Sequence, residues 1–166
     1  DEDLLLTNGD TLDAPKPTEP QQVGPEQQLF PYHGVSWLEN QGGMKYQHRI
    51  IAPLYGAHRA QAADLDGDGD LDGVASSFLP AAPVEPVRDP YRPEALIWLE
   101  RRSPDQWVRH TLVTMEVEIP TLDLGDMDGD GDIDIVTGHL FLGRLRPDQR
   151  DVSITLWENR GPNLPQ

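Results

Sequence analysis

The chain has 166 residues, with 29 acidic side chains against 13 Lys and Arg, a formal charge of −16 and no cysteine. That balance repels phosphate backbones and anionic lipid surfaces, so neither nucleic acid nor an acidic membrane is an expected partner. Without cysteine there are no disulfides, thiolate metal sites or covalent haem attachments. No apolar run approaches the ~20 residues of a membrane span, and no signal peptide is visible.

From the N-terminus, Asp1-Glu2-Asp3-Leu4-Leu5-Leu6 is an acidic stretch running into an aliphatic strand. A proline-rich segment covers residues 8–33. A strand is predicted over about 34–39, ending in Trp37-Leu38-Glu39-Asn40, and another over about 45–52, after the turn Gln41-Gly42-Gly43. Pro53 and Gly56 break the chain before a strand at about 57–64. The nonapeptide Asp64-Leu65-Asp66-Gly67-Asp68-Gly69-Asp70-Leu71-Asp72 follows, and a strand over about 72–79 leaves it. A second proline-rich segment, 79–94, leads to a strand over about 95–101 with Trp98-Leu99-Glu100. Ser103-Pro104-Asp105 turns the chain into a strand over about 107–114. A strand over about 119–126 then enters a second nonapeptide, Asp126-Met127-Asp128-Gly129-Asp130-Gly131-Asp132-Ile133-Asp134. Strands over about 134–141 and 153–159 follow, the last with Trp157-Glu158-Asn159. No segment shows helical periodicity with caps.

Five carboxylates within nine residues repel one another in any compact state, and a divalent cation removes that penalty. Ca²⁺ is the expected ion, because it is hard and takes six to eight oxygens in irregular geometry. Asp64, Asp66, Asp68 and Asp72 would converge on one ion, with Asp70 offering its backbone carbonyl. Asp126, Asp128, Asp130 and Asp134 would do the same around a second, with the carbonyl of Asp132. Gly69 and Gly131 stand where the loop must turn sharply. A solvated acidic turn without metal is the alternative. An EF-hand requires a bidentate acid at position 12 and flanking helices; here that position holds Ala75 or Thr137, and strand-like runs follow.

Trp37-Leu38-Glu39 aligns with Trp98-Leu99-Glu100 and Trp157-Glu158-Asn159, His48-Arg49-Ile50-Ile51 with His110-Thr111-Leu112-Val113, and the two nonapeptides with each other, in the same order and with a period of about 60 residues. Each unit reads as four short strands with the acid loop between the first and second, a pattern typical of a propeller blade. The expected fold is all-β, a segment of about two and a half four-stranded antiparallel blades. Residues 1–53 would be a partial blade, 54–115 a complete one and 116–166 a second partial one. Asp1 and Asp3 would be positions 7 and 9 of a third acid loop whose earlier residues are missing, so a third Ca²⁺ site would be shared with residues outside this segment. The remainder of the propeller, or another subunit, is expected to cover the open edges.

These residues resemble the FG-GAP/VCBS repeat family, calcium-loop β-propellers that include the integrin α-subunit head. The resemblance rests on the two Asp-rich nonapeptides, each followed by an aliphatic strand, and on Trp37-Leu38-Glu39-Asn40. It implies the ligand sets named above. Literal Phe-Gly and Gly-Ala-Pro signatures are absent, which places the chain beside bacterial-type repeats. Such repeats imply an extracellular scaffold or binding module, sometimes attached to an enzyme.

Strand alternation gathers the proline-rich loops on one face, where Phe30, Tyr32, Phe78, Tyr91 and Arg92 suggest a protein-binding surface. His58 and Arg59 would lie near the mouth of a central channel, able to take an anion or a sugar. No nucleophile elbow, phosphate loop or zinc-protease helix is present, and metal-bound carboxylates are poor general acids. The expectation is a non-catalytic, calcium-stabilised scaffold that mediates protein–protein interaction and is secreted, cell-surface or periplasmic. The alternatives are the propeller domain of a carbohydrate-active enzyme of lyase or dehydratase type, and a lectin-like glycan binder.

Overall fold

A computed structural model describes residues 2–9, 33–78, 94–114, 118–140 and 153–161. Its elements, in chain order, are β1 (Leu4–Asn8), β2 (Gly34–Asn40), β3 (Tyr46–Pro53), β4 (Ala57–Ala63), β5 (Asp72–Ser77), β6 (Glu94–Ser103), β7 (Gln106–Thr114), β8 (Thr121–Gly125), β9 (Asp134–Gly138) and β10 (Ile154–Trp157). The chain is all-β, and the described residues contain no helix beyond a single 3₁₀ residue at Gly161. Among the described residues none is part of a membrane-long apolar helix.

The strands form three antiparallel sheets, each built from consecutive strands: β1-β2-β3, β4-β5-β6-β7 and β8-β9-β10. None closes on itself. Alternation of side chains decides how the sheets stack. In the middle sheet Ala75, Ile97 and Leu99 point one way and join Val35, Ala52 and Leu54 of the first sheet. Val74 and Leu96 point the other way and join Ile119, Leu122 and Ile135 of the third. Both faces of the middle sheet are therefore covered, and all six residues of β5 are buried. Bulges either side of Leu96 let Ala95 and Leu96 face the same core.

The sheets approach one another most closely along their first strands, β1 beside β4 and β4 beside β8. Residues at equivalent places touch there. The Nδ1–H of His58 donates to the Pro120 carbonyl at 2.7 Å, and Gln61 Nε2 donates to Asp123 Oδ1 at 3.0 Å. Farther out, Trp37 meets Trp107 of the next sheet edge-on, with ring centroids 6.5 Å apart. The Arg101 guanidinium lies over both rings, at 5.0 and 5.7 Å.

Two sequence alignments are corrected by strand register. Trp37 pairs with Leu5 and Trp98 with Val74, but Trp157 pairs with Ile135. Relative to Asp3, Asp72 and Asp134, it is Leu156, opposite Val136, that takes the place of Trp37 and Trp98. Trp157 occupies the place of Leu38 and Leu99 on the other face, and packs into the second core. Likewise His110 lies opposite Trp98 whereas Arg49 lies opposite Trp37, so His48 and His110 are not equivalent. The cause is spacing: each tryptophan pairs with the residue twelve places on, and His48 follows Trp37 by eleven whereas His110 follows Trp98 by twelve.

Candidate metal centres

Each acid loop joins the first two strands of its sheet: β4 to β5, and β8 to β9. Their sequence dictates their local shape through short side chain to backbone bonds. Asp64 accepts from the amides of Gly67 (2.8 Å) and Gly69 (3.0 Å). Asp66 accepts from Asp68 N (3.2 Å), and Asp68 from Asp70 N (2.9 Å). The second loop repeats the network: Asp126 with Gly129 and Gly131, Asp128 with Asp130 N, Asp130 with Asp132 N. Gly69 and Gly131 have φ of 96° and 98°, with open space where a Cβ would stand, so it is the backbone angle that selects glycine.

This folding brings carboxylate oxygens of Asp64, Asp66 and Asp68 within 4.8 Å of one another, and those of Asp126, Asp128 and Asp130 likewise. Two acidic triplets that could hold a metal ion therefore stand at corresponding places on neighbouring sheets. The donor set is all oxygen and anionic, which suits a hard cation. The electrostatics show the strain of crowding. Asp66 is raised above the ordinary carboxylate value, first by burial and then by the Asp72, Asp68 and Glu100 carboxylates, against the hydrogen bond from Asp68 N. For Asp128 the Asp130 amide is the largest influence and lowers its pKa, but burial together with Asp130, Asp134 and Glu158 outweighs it, and the net direction is up.

Position 9 of each loop stands apart from the triplets. Asp72, buried at 1% exposure, accepts from Leu65 N at 3.3 Å, Trp98 Nε1 at 3.0 Å and Arg101 N at 2.8 Å. Asp134 accepts from Met127 N at 2.9 Å and Asn159 N at 2.8 Å. These carboxylates clamp the loop to the end of the third strand. The clamp also occurs at the start of the chain, where Asp3 accepts from Asn40 N at 2.8 Å. Asp3 is thus placed as the counterpart of Asp72 and Asp134; Asp1 lies outside the described residues. Asp70 and Asp132 offer their amides to the preceding Asp.

The sequence reading missed Glu100, Glu158 and Asn159. Glu100 and Glu158 stand close enough to Asp66 and Asp128 to raise them. The signal was the acid after Trp in each third strand, read there only as a repeat marker. Asn159 Nδ2 donates to Ile133 O at 3.3 Å and to Leu65 O at 2.8 Å, joining two acid loops.

The other predicted binding residues do not form a site with the triplets. His58 and Arg59 are exposed on β4. The His58 ring is held by Pro120 O and lies edge-on to Phe78, with centroids 5.5 Å apart. Phe78 is half-buried and bridges to Glu118. Phe30, Tyr32, Tyr91 and Arg92 lie outside the described residues. No family model, no curated protein and no solved structure matches the chain.

Proposed function

We propose that the chain is a non-catalytic scaffold of propeller-type repeats, stabilised by Ca²⁺ in the two acid loops. The observation that carries this reading is the pair of Asp triplets, built by the same hydrogen-bond network at the same hairpin of successive sheets. Asp64, Asp66 and Asp68 would hold one ion and Asp126, Asp128 and Asp130 the other. The Asp70 and Asp132 carbonyls, with Asp72 and Asp134, are the remaining donors. Ca²⁺ is favoured over Mg²⁺ because a nine-residue loop of this kind offers many oxygens and loose geometry, whereas Mg²⁺ keeps its waters and demands an octahedron.

Three features support blades of one propeller within units 1–53, 54–115 and 116–166. Each sheet is a meander of consecutive strands. The sheets stack face to face through two cores. The strands that enter the two acid loops, β4 and β8, lie side by side, as inner strands around an axis would. This is also what the resemblance to FG-GAP/VCBS repeats implies. An ion that binds only the folded state stabilises by RT ln(1 + [Ca²⁺]/Kd), and cytosolic free Ca²⁺ is too scarce for a weak site, so a secreted, cell-surface or periplasmic setting follows. The scaffold would serve protein–protein contacts.

The test is thermal unfolding with excess Ca²⁺ or excess chelator. At a hundred times Kd the gain is about 2.7 kcal/mol, which raises the Tm of a chain this size by about 5–10 °C. Tb³⁺ in the first loop should also be sensitised by Trp98, whose Nε1 lies 3.0 Å from Asp72 Oδ2. An unchanged Tm together with no Trp-sensitised Tb³⁺ emission would overturn the metal reading.

A further inference from the structure

The Arg101 guanidinium is held by its faces and not by its edges. Its Cζ lies 5.0 Å from the centre of the Trp37 ring and 5.7 Å from that of Trp107. Such stacking engages π-faces and leaves the N–H groups, which point outward in the guanidinium plane, free to donate. Among the described residues the side chain meets no acceptor, and Nε is shut off from solvent without one. The two terminal nitrogens are not enclosed in this way and reach solvent. By contrast, Arg49, Arg102, Arg109 and Arg160 each meet a carboxylate. A buried donor left unpaired is uncommon in a folded chain, and this chain has 29 acidic residues to draw on.

A groove of about 270 Å³ runs between the first and middle sheets, lined by Arg49, Ile50, Ile51, Pro104, Asp105 and Trp107. Trp107 belongs to both the groove wall and the stack. So does Arg49, whose Cζ lies 5.6 Å from the Trp37 ring centre. The acids at this place are already engaged, since Arg49 holds Glu39 at 3.0 Å and Asp105 at 2.7 Å. What remains is an aliphatic and aromatic wall next to an unpaired cation. All of these residues lie on β2, β3, β6, β7 and the turn joining the last two.

We propose that Arg101 and this groove bind an extended peptide of a partner protein, one that carries a carboxylate and, two residues away, an aliphatic side chain. The carboxylate accepts from the terminal nitrogens of Arg101, whose planar fork of donors suits it. The aliphatic side chain lies against Ile51, Pro104 and Trp107. The spacing agrees. Side chains i and i+2 of an extended chain point the same way about 6.7 Å apart, and Arg101 Cζ stands 5.7 Å from the Trp107 ring centre. Arginine and tryptophan are also the side chains that most often anchor protein contacts. The chain's charge of −16 repels an acidic run at long range, so the partner offers a single carboxylate among neutral or basic residues. The inference names the chemistry of the partner for the scaffold proposed above and rests on that interaction reading; it uses no acid-loop carboxylate.

The experiment is a nuclear magnetic resonance titration of the nitrogen-labelled full 166-residue chain with acetyl-Glu-Ala-Leu-amide, and with acetyl-Gln-Ala-Leu-amide as the control. Salt is held at about 0.15 M, where the screening length is about 8 Å. The Arg101 Nε–H and the indole N–H resonances of Trp37 and Trp107 are followed. The Glu peptide is expected to shift all three saturably, with half-saturation at about 1 mM, and the Gln peptide to bind about tenfold more weakly or worse. On the indole resonances, Arg101→Gln should weaken the Glu peptide by a similar factor. Arg101→Lys should fall between, because it keeps the charge and loses the fork. Pro104 is exposed, so Pro104→Glu places a carboxylate in the groove without disturbing the core and should block the peptide. It also serves where Arg101→Gln does not fold, which the dispersion of the remaining resonances reveals. No shift with the Glu peptide overturns the proposal, as do equal responses to the two peptides and undiminished binding by Pro104→Glu. Undiminished binding by folded Arg101→Gln overturns this site and leaves the scaffold reading standing. The chelator experiment reads the metal separately.

Discussion

Asn159 Nδ2 donates to Leu65 O at 2.8 Å, although the two residues lie on different sheets and 94 positions apart in the chain. The same amide group reaches Ile133 O, and Asn159 Oδ1 accepts from Gly161 N at 3.1 Å. One side chain thus fastens the end of β10 to position 2 of one acid loop and position 8 of the other. The first acid loop is therefore braced by the sheet that follows it.

Asn159→Ala removes that brace. Two half-buried carbonyls lose a donor, which costs about 1–3 kcal/mol. Because the Leu65 bond belongs to the first loop, Tb³⁺ should bind the chain with one site weakened more than the other. A uniform loss at both sites would mean that Asn159 acts on overall stability alone.

The two kinds of aspartate in each loop should respond oppositely to substitution. Asp72→Ala leaves Leu65 N, Trp98 Nε1 and Arg101 N without their shared acceptor. Each unsatisfied buried donor costs about 1–3 kcal/mol, so the loss should appear with or without metal. Asp66→Asn removes a crowded charge whose pKa is already raised by burial and its neighbours. In chelator that variant should melt at or above the parent, and in excess Ca²⁺ below it. Urea melts under both conditions check the crossing, and parallel curves for the two variants would refute the division of labour.

Acid should act with opposite signs on the two sides of the site. The metal-free folded state holds a proton at Asp66 and Asp128 more tightly than the unfolded chain does, since both are raised from 3.8. These groups therefore add stability as pH falls from neutrality through their raised folded pKa values. Glu100 is lowered from 4.5 by hydrogen bonds from Arg102 and His110, so its contribution is present above 4.5 and lost as pH falls through its lower folded value. With Ca²⁺ bound, protons compete with the ion and the loop contribution reverses. Melting temperature should then fall more steeply from pH 7 to pH 4 in excess Ca²⁺ than in chelator. Equal slopes would show that the raised carboxylates are not the ones that bind the ion.

Much of this architecture was legible in the sequence. The all-β class and the placing of the strands followed from short β-branched and aliphatic runs separated by Gly and Pro, and the acid loops from the spacing of Asp and Gly. The equivalence of Asp3 with Asp72 was visible in the aliphatic triplets that follow each. What stayed hidden depends on register. Each tryptophan pairs with the residue twelve places on, so a one-residue difference in spacing puts His48 opposite Leu38 and His110 opposite Trp98. The clamp role of Asp72 and Asp134 was hidden for another reason. A carboxylate at position 9 reads as an oxygen donor, and the sequence does not show the N–H groups it accepts from, two amides and an indole at Asp72 and two amides at Asp134. Glu100 and Glu158 come close to the loops through tertiary pairing, which no local pattern encodes.

Register also makes a prediction at the end of the third sheet. Leu156 and Trp157 carry the residue types of Leu38 and Trp37 in reverse order, and pairing sends Trp157 into the second core while Leu156 faces out. Trp157 Nε1 donates to Thr137 Oγ1 at 3.0 Å, which leaves the buried Thr137 hydroxyl paired. Trp157→Ala should therefore cost about 3 kcal/mol, near the low end for a large aromatic because the ring is only partly buried. Leu156→Ala should cost under about 0.5 kcal/mol, as an exposed position does. Both are measured by urea melts at the same protein concentration. If the two costs came out reversed, Trp157 would be the true counterpart of Trp37 and Trp98, and β10 would pair with β9 one residue out of the register described.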